Sequence, residues 1–245
     1  MSELSKVAAL LRLELSKGAW RAIVVALFCV YFSALWLTRA RGSYMVPMHV
    51  IPFAQRILRS AMHESVYNVS LFSPPIVSLL STLSLAYEFE SRMLRTSLSL
   101  PLRKSTILLV KLASFFVILT VPLVASQLLY VALLFRGSSL ELVVYGLLCS
   151  ISAIYVHLTL LLYMVSICVF VNVVSRSQSI SYGISVLILY LTHFASMRVE
   201  WLSNILPPTA IALSMIAPER LLGALVPSAL LLAASFTVFS RVEAA

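Results

Sequence analysis

Between Glu88 and Lys104 the chain carries two carboxylates, Glu88 and Glu90, and four cations, Arg92, Arg95, Arg103 and Lys104. It is the densest charged segment of the sequence, and it lies between two long apolar runs. Charge at bilayer depth is costly and rare, so this block belongs in water or among lipid headgroups. Phe89, Met93, Leu94 and Leu98 recur every three to four residues among the charges. That spacing predicts a short amphipathic helix closed by Leu100-Pro101. The chemistry open to it is recognition: such a helix can lie along the membrane and offer its apolar stripe, flanked by charge, to a soluble partner.

Catalytic patterns are missing. No Gly is followed by Lys, so the chain has no phosphate-binding GxxxxGK[ST] loop with which to hydrolyse ATP. There is no HExxH, no GxSxG and no Asp at all, which leaves a membrane protease or esterase without machinery. His49, His63 and Glu64 lack metal-ligand spacing and read as a surface loop, so no metal site is expected.

The elements that must position the charged segment are membrane spans. Of 245 residues, 61% are hydrophobic and 11% charged, with a mean hydropathy of +1.01, far outside soluble composition. The apolar runs are continuous over about twenty residues or more, which indicates an all-α polytopic membrane protein and excludes a barrel of short alternating strands. The net charge of +9 does not signal nucleic acid, because the cations are dispersed between spans and serve orientation and contact with anionic lipid. Cys29, Cys149 and Cys168 fall inside apolar runs and are expected as buried fillers. The mixed charges of the first twenty residues predict no cleavable leader.

Residues 1–18 predict an interfacial helix with Leu4, Val7, Ala8, Leu11 and Leu15 on one face. Spans are then expected at Trp20–Thr38, with Trp20 and Trp36 as interface anchors, at Leu71–Tyr87 beginning at Pro74-Pro75, and at Ser105–Leu134, with a kink at Pro122. Two more are expected within Leu142–Ser175 and at Ile180–Ala195, and a sixth at Leu221–Ser240. Residues 198–220, holding Trp201 and Pro207-Pro208, predict a re-entrant or interfacial hairpin at the outer surface. With six spans the termini and the 88–104 loop share one side, which holds eleven cations against seven opposite. That bias places both termini in the cytoplasm of a multi-pass plasma-membrane protein.

Polar residues within spans are candidates for a translocation path or for interhelical packing. They are Ser78 and Ser81 on the second span, Gln127 and Tyr130 on the third, His157, Tyr163 and Asn172 on the fourth, and Ser185 on the fifth. For His157 an interhelical hydrogen bond is the favoured reading.

In outline and in one local pattern the chain resembles the membrane subunits of ABC-2 type ATP-binding-cassette transporters. The local match is Glu88-x-Glu90-x-x-x-Leu94, then Pro101-Leu102-Arg103-Lys104-Ser105, Ile107-Leu108 and Lys111. Arg92-Met93-Leu94 stands where that family commonly shows Gly-Thr-Leu. The resemblance implies that the 88–104 loop is a coupling helix docking on a separate cytoplasmic ATPase through Glu88, Glu90, Arg92, Met93, Leu94, Arg95 and Arg103. It implies an export permease paired with a second copy or a paralogue, with ATP and Mg held by the partner and no cofactor on this chain. The rival is an ATP-independent membrane protein, a secondary transporter or a scaffold. Secondary carriers usually show repeated halves and midplane charge, neither of which is evident here.

Overall fold

A computed structural model describes residues 3–16, 19–41, 68–91, 102–134, 140–198 and 221–241. All of the regular structure among them is helical. In chain order the helices are α1 (Glu3–Ser16), α2 (Ala19–Arg41), α3 (Pro74–Ser81), a π-helical stretch (Thr82–Ala86), α4 (Tyr87–Glu90), α5 (Lys104–Leu134), α6 (Leu140–Ser175), α7 (Gln178–Arg198) and α8 (Leu221–Ser240). A short helical lead-in at 68–72 precedes Ser73 and α3.

Three of these helices are long and apolar enough to cross a membrane, in the windows Lys104–Leu133, Gly146–Ser175 and Gln178–Ser196. The bent pair Ser5–Leu15 and Trp20–Ser33 makes up to four, and Leu225–Ser240 is a shorter apolar helix. The segment expected as the second span is divided among the lead-in, α3, the π turn and α4, so no single helix there has spanning length. The protein is thus a membrane-embedded chain whose described secondary structure is all helical.

Helix α6 is the axis. It packs against α8, α5, α7, α3 and the π stretch, while α2 lies along α5 and α1 crosses the start of α5. The apolar core runs through Leu27, Tyr31, Leu80, Leu85, Phe115, Leu119, Leu160, Cys168 and Phe239. At 36 residues, α6 is about 54 Å long, well beyond a ~30 Å hydrocarbon layer. A helix of that length must tilt, kink or protrude from the layer.

Helix α1 turns from α2 by 69°. Its buried side differs from the expected stripe. Leu10 seats on Ile107 and Val110, with Val7, Leu11 and Leu102 around them, whereas Leu15 is exposed. The reason is tertiary: α1 lies on α5 and turns toward it the face that also carries Glu14, which is buried. Trp20 is likewise drawn inside, and its indole N–H donates to the Glu14 carbonyl at 2.5 Å, pinning the α1–α2 bend. Cys29 is exposed rather than buried, because it lies on the outer side of α2; Cys168 is buried as expected. Pro122 sits inside α5, which continues through it to Leu134.

Candidate functional site

The carboxyl end of the second apolar segment gathers the other helices. A π turn at Thr82–Ala86 inserts extra backbone into this segment, rotating residues 87–90 relative to a regular helix. Beyond the turn, Glu88, Phe89 and Glu90 point three ways. Glu88 is buried and accepts the Lys111 ammonium of α5 at 2.7 Å. Phe89 meets Phe239 of α8 edge to face at 6.1 Å, and the Arg176 guanidinium lies 5.9 Å above its ring. Glu90 accepts the backbone N–H of Gln178, the first residue of α7, at 3.1 Å. Three successive side chains therefore grip α5, α8, the α6–α7 turn and α7.

The partners are held with equal economy. Arg176 and Ser177 are the whole connection between α6 and α7. Arg176 takes a left-handed φ of 54° to make the turn, a conformation unusual for a side chain with a Cβ. A carboxylate at the start of α7 meets an unpaired backbone N–H and the positive end of the helix dipole, both of which favour it. Lys104, opening α5, donates to the Ser240 carbonyl at the end of α8 at 3.4 Å. The ends of α6 and α8, the starts of α5 and α7, and the root of the charged segment thus lie on one side.

Behind this cluster sits a buried ionic contact. Lys111 is fully buried and donates to Glu14 of α1 and Glu88 of α4, each at 2.7 Å, and to the Ser84 carbonyl of the π turn at 3.4 Å. Glu88, expected among the surface contacts, has its carboxylate spent inside the protein instead, because the buried lysine needs it. Glu90 and Arg103 are exposed. Arg92, Met93, Leu94 and Arg95 lie outside the described residues, as do most of the 198–220 hairpin, His49, His63 and Glu64.

A second polar cluster runs between α3, α6 and α7. Asn172 Nδ2 donates to Ser81 Oγ at 3.0 Å and to the Cys168 carbonyl at 2.6 Å. Ser81 Oγ donates to the Ser78 carbonyl, and Ser78 Oγ to the Tyr182 carbonyl of α7 at 3.2 Å. The Cys168 thiol faces the hydroxyls of Ser78, Ser81 and Ser185. Asn172 Oδ1, Ser185 Oγ and Thr82 Oγ1 are buried without a hydrogen-bond partner. Of the residues picked out as path candidates, the structure brings Ser78, Ser81, Asn172 and Ser185 together. Gln127 and Tyr130 are buried on α5, and neither amide atom of Gln127 has a partner. His157 Nδ1 lies 2.6 Å from the Ala153 carbonyl of its own helix. Nearer the opposite end of α7, His193 Nδ1 and Ser70 Oγ lie 3.1 Å apart, joining α7 to the 68–72 lead-in.

In the sequence Lys111 stands out only as part of a local pattern, not as a binding group. A signal was available: a lone lysine inside an apolar run needs a buried anion.

The sequence profile of the ABC-2 family transporter proteins matches residues 54–234, well over half of the chain and spanning the cluster at the loop root. The chain belongs to that family. No curated protein gives a match to it. As an ABC-2 family membrane protein it is a transport subunit, and the apolar helices α5, α6 and α7 accord with that. Among the described residues no group of three or more metal-ligating side chains converges.

Proposed function

We propose that this ABC-2 protein is the permease subunit of an exporter driven by a separate cytoplasmic ATPase, which docks on the loop rooted at Glu88–Glu90. The single observation that carries the reading is the convergence of α5, α7, α8 and the α6–α7 turn on three consecutive residues at that root. A displacement of the loop root reaches α5, α7, α8 and the α6–α7 turn directly, and coupling needs such an element that both sites can bias.

In this reading Glu90, Arg92, Met93, Leu94, Arg95 and Arg103 form the docking surface, and Glu88 acts one step inward. The chain adopts six spans with both termini in the cytoplasm of the plasma membrane, the segment at 68–90 and α8 completing the set. It works as a dimer with a second copy or a paralogue, flanked by two ATPase subunits that hold ATP and Mg. The seam of Ser78, Ser81, Asn172 and Ser185, with Gln127, Tyr130 and His157, supplies the polar lining of the path. The absence of GxxxxGK[ST] from the sequence supports placing hydrolysis on another chain.

Photo-crosslinking amino acids at Met93 and Arg95 test this. They should capture a soluble nucleotide-binding protein in intact cells, while the same group at Trp36 should not. Capture of lipid alone from Met93 and Arg95 would favour the scaffold alternative.

A further inference from the structure

We propose that Lys111 is a positioning residue that makes α1 a working part of the coupling site: its one ammonium holds Glu14 of α1 and Glu88 of α4 together. The inference rests on reading the 88–104 loop as the ATPase docking element, and it adds a second moving part to it.

The geometry is that of a shared cation. Both Nζ to carboxylate distances are 2.7 Å, and the third contact is the Ser84 carbonyl at 3.4 Å. An ammonium has three N–H donors, so these three acceptors use them all. Lys111 is fully buried, and Glu14 and Glu88 are nearly so. Two carboxylates at this separation repel each other in a medium of low dielectric, and the lysine between them reverses the sign of the contact. A displacement of Glu88 therefore changes what Lys111 gives to Glu14.

Helix α1 depends on that contact more than the other helices would. Its apolar seat is a small cluster of Leu10, Ile107 and Val110, ringed by Val7, Leu11 and Leu102 and separate from the main core. The Trp20 indole fixes the bend but grips the Glu14 backbone, not α5. The ion contact is a buried polar tie from α1 to the bundle. It also passes through the residue next to Phe89 and Glu90, which hold α8 and α7. Movement of the loop root is thus shared between the bundle and α1.

The test uses the full chain in its own membranes and reads tryptic cleavage after Arg12, an exposed residue of α1. A seated helix resists cleavage and a released one does not. Lys111→Met, which leaves two carboxylates facing each other, should raise the rate about a hundredfold or more, the scale expected of a broken buried ion contact. Adding Glu14→Gln should return the rate to near wild type. Adding Glu88→Gln instead should recover part of the protection, because it removes the repulsion reaching Glu14 from α4. A rate unchanged in Lys111→Met, or no recovery on adding Glu88→Gln, overturns the proposal.

If Lys111→Met fails to accumulate, Glu14→Gln and Glu88→Gln carry the test, singly and together. A shared ammonium makes the double change depart from the product of the singles by about threefold or more, whereas independent contacts give the product and overturn the idea. The assay needs no ATPase. Its failure leaves the docking reading standing, and failure to capture an ATPase leaves the shared ammonium standing.

Discussion

Glu90 accepts the backbone N–H of Gln178 across 88 residues of chain, so the last helical residue before the charged loop caps the first turn of α7. A carboxylate in that position is worth on the order of 0.5–2 kcal/mol, with an exposed cap at the lower end. Glu90→Ala should therefore loosen the start of α7 without unfolding the protein. Amide hydrogen exchange over residues 178–181 should quicken a few-fold in that variant, while exchange in the middle of α6 stays as it was. Equal exchange at 178–181 in both proteins would remove the cap from the account.

The two aromatic partners of the loop root should act as one unit. Phe89 packs on Phe239, which belongs to the core that Phe89 borders. Phe89→Ala and Phe239→Ala each remove buried aromatic area and should lower the midpoint of thermal unfolding in detergent. The double variant should lose less than the sum by about 0.5–1.5 kcal/mol, the size of an aromatic pair beyond simple burial. Strict additivity would mean that the rings do not support each other.

Arg176 combines an unfavourable backbone angle with a favourable stack. Its φ of 54° favours glycine, while its guanidinium over Phe89 is worth about 0.5–1 kcal/mol at an exposed site. Arg176→Gly should be nearly neutral in stability, since the backbone relief and the lost stack are of similar size. Arg176→Val keeps a Cβ, adds branching and loses the stack, so it should cost about 2 kcal/mol or more. The ordering Gly above Val in thermal melts checks this. The reverse ordering would contradict the left-handed turn.

Asn172 offers a prediction of very different size for two substitutions at one position. Its Nδ2 group serves Ser81 and the Cys168 carbonyl, while its Oδ1 is buried with no partner. Asn172→Leu removes the unpaired acceptor, and Ser81 keeps its bond to the Ser78 carbonyl, so the change should cost less than about 1 kcal/mol. Asn172→Asp puts a carboxyl group into the same apolar seam and should cost several kcal/mol. Thermal unfolding of the two variants side by side gives the answer.

How much of this was legible in the sequence varies with the length scale of the cause. The limits of α5, α7 and α8 follow from where apolar runs meet charge or proline. Expected starts at Ser105, Ile180 and Leu221 compare with observed starts at Lys104, Gln178 and Leu221. Residues 88–90 stand out in the sequence as the start of a charge cluster. The direction of their side chains does not, because the π turn at Thr82–Ala86 has no residue signature and rotates Glu88 inward. The Glu14–Lys111–Glu88 contact joins residues up to 97 positions apart, which periodicity within a segment cannot register. The buried face of α1 escaped for the same reason: hydropathy ranked Leu15 above Glu14, and an α5 lysine reversed the order.

The docking claim is most directly tested by a pull-down of the tagged chain from its own membranes in mild detergent. Wild type is compared with the double change Glu90→Lys, Met93→Asp. A nucleotide-binding ATPase is expected to come down with wild type and to be lost from the variant, while the variant remains folded and membrane-embedded. Absence of any ATPase from the wild-type pull-down across detergents, or its undiminished recovery with the variant, would contradict the claim.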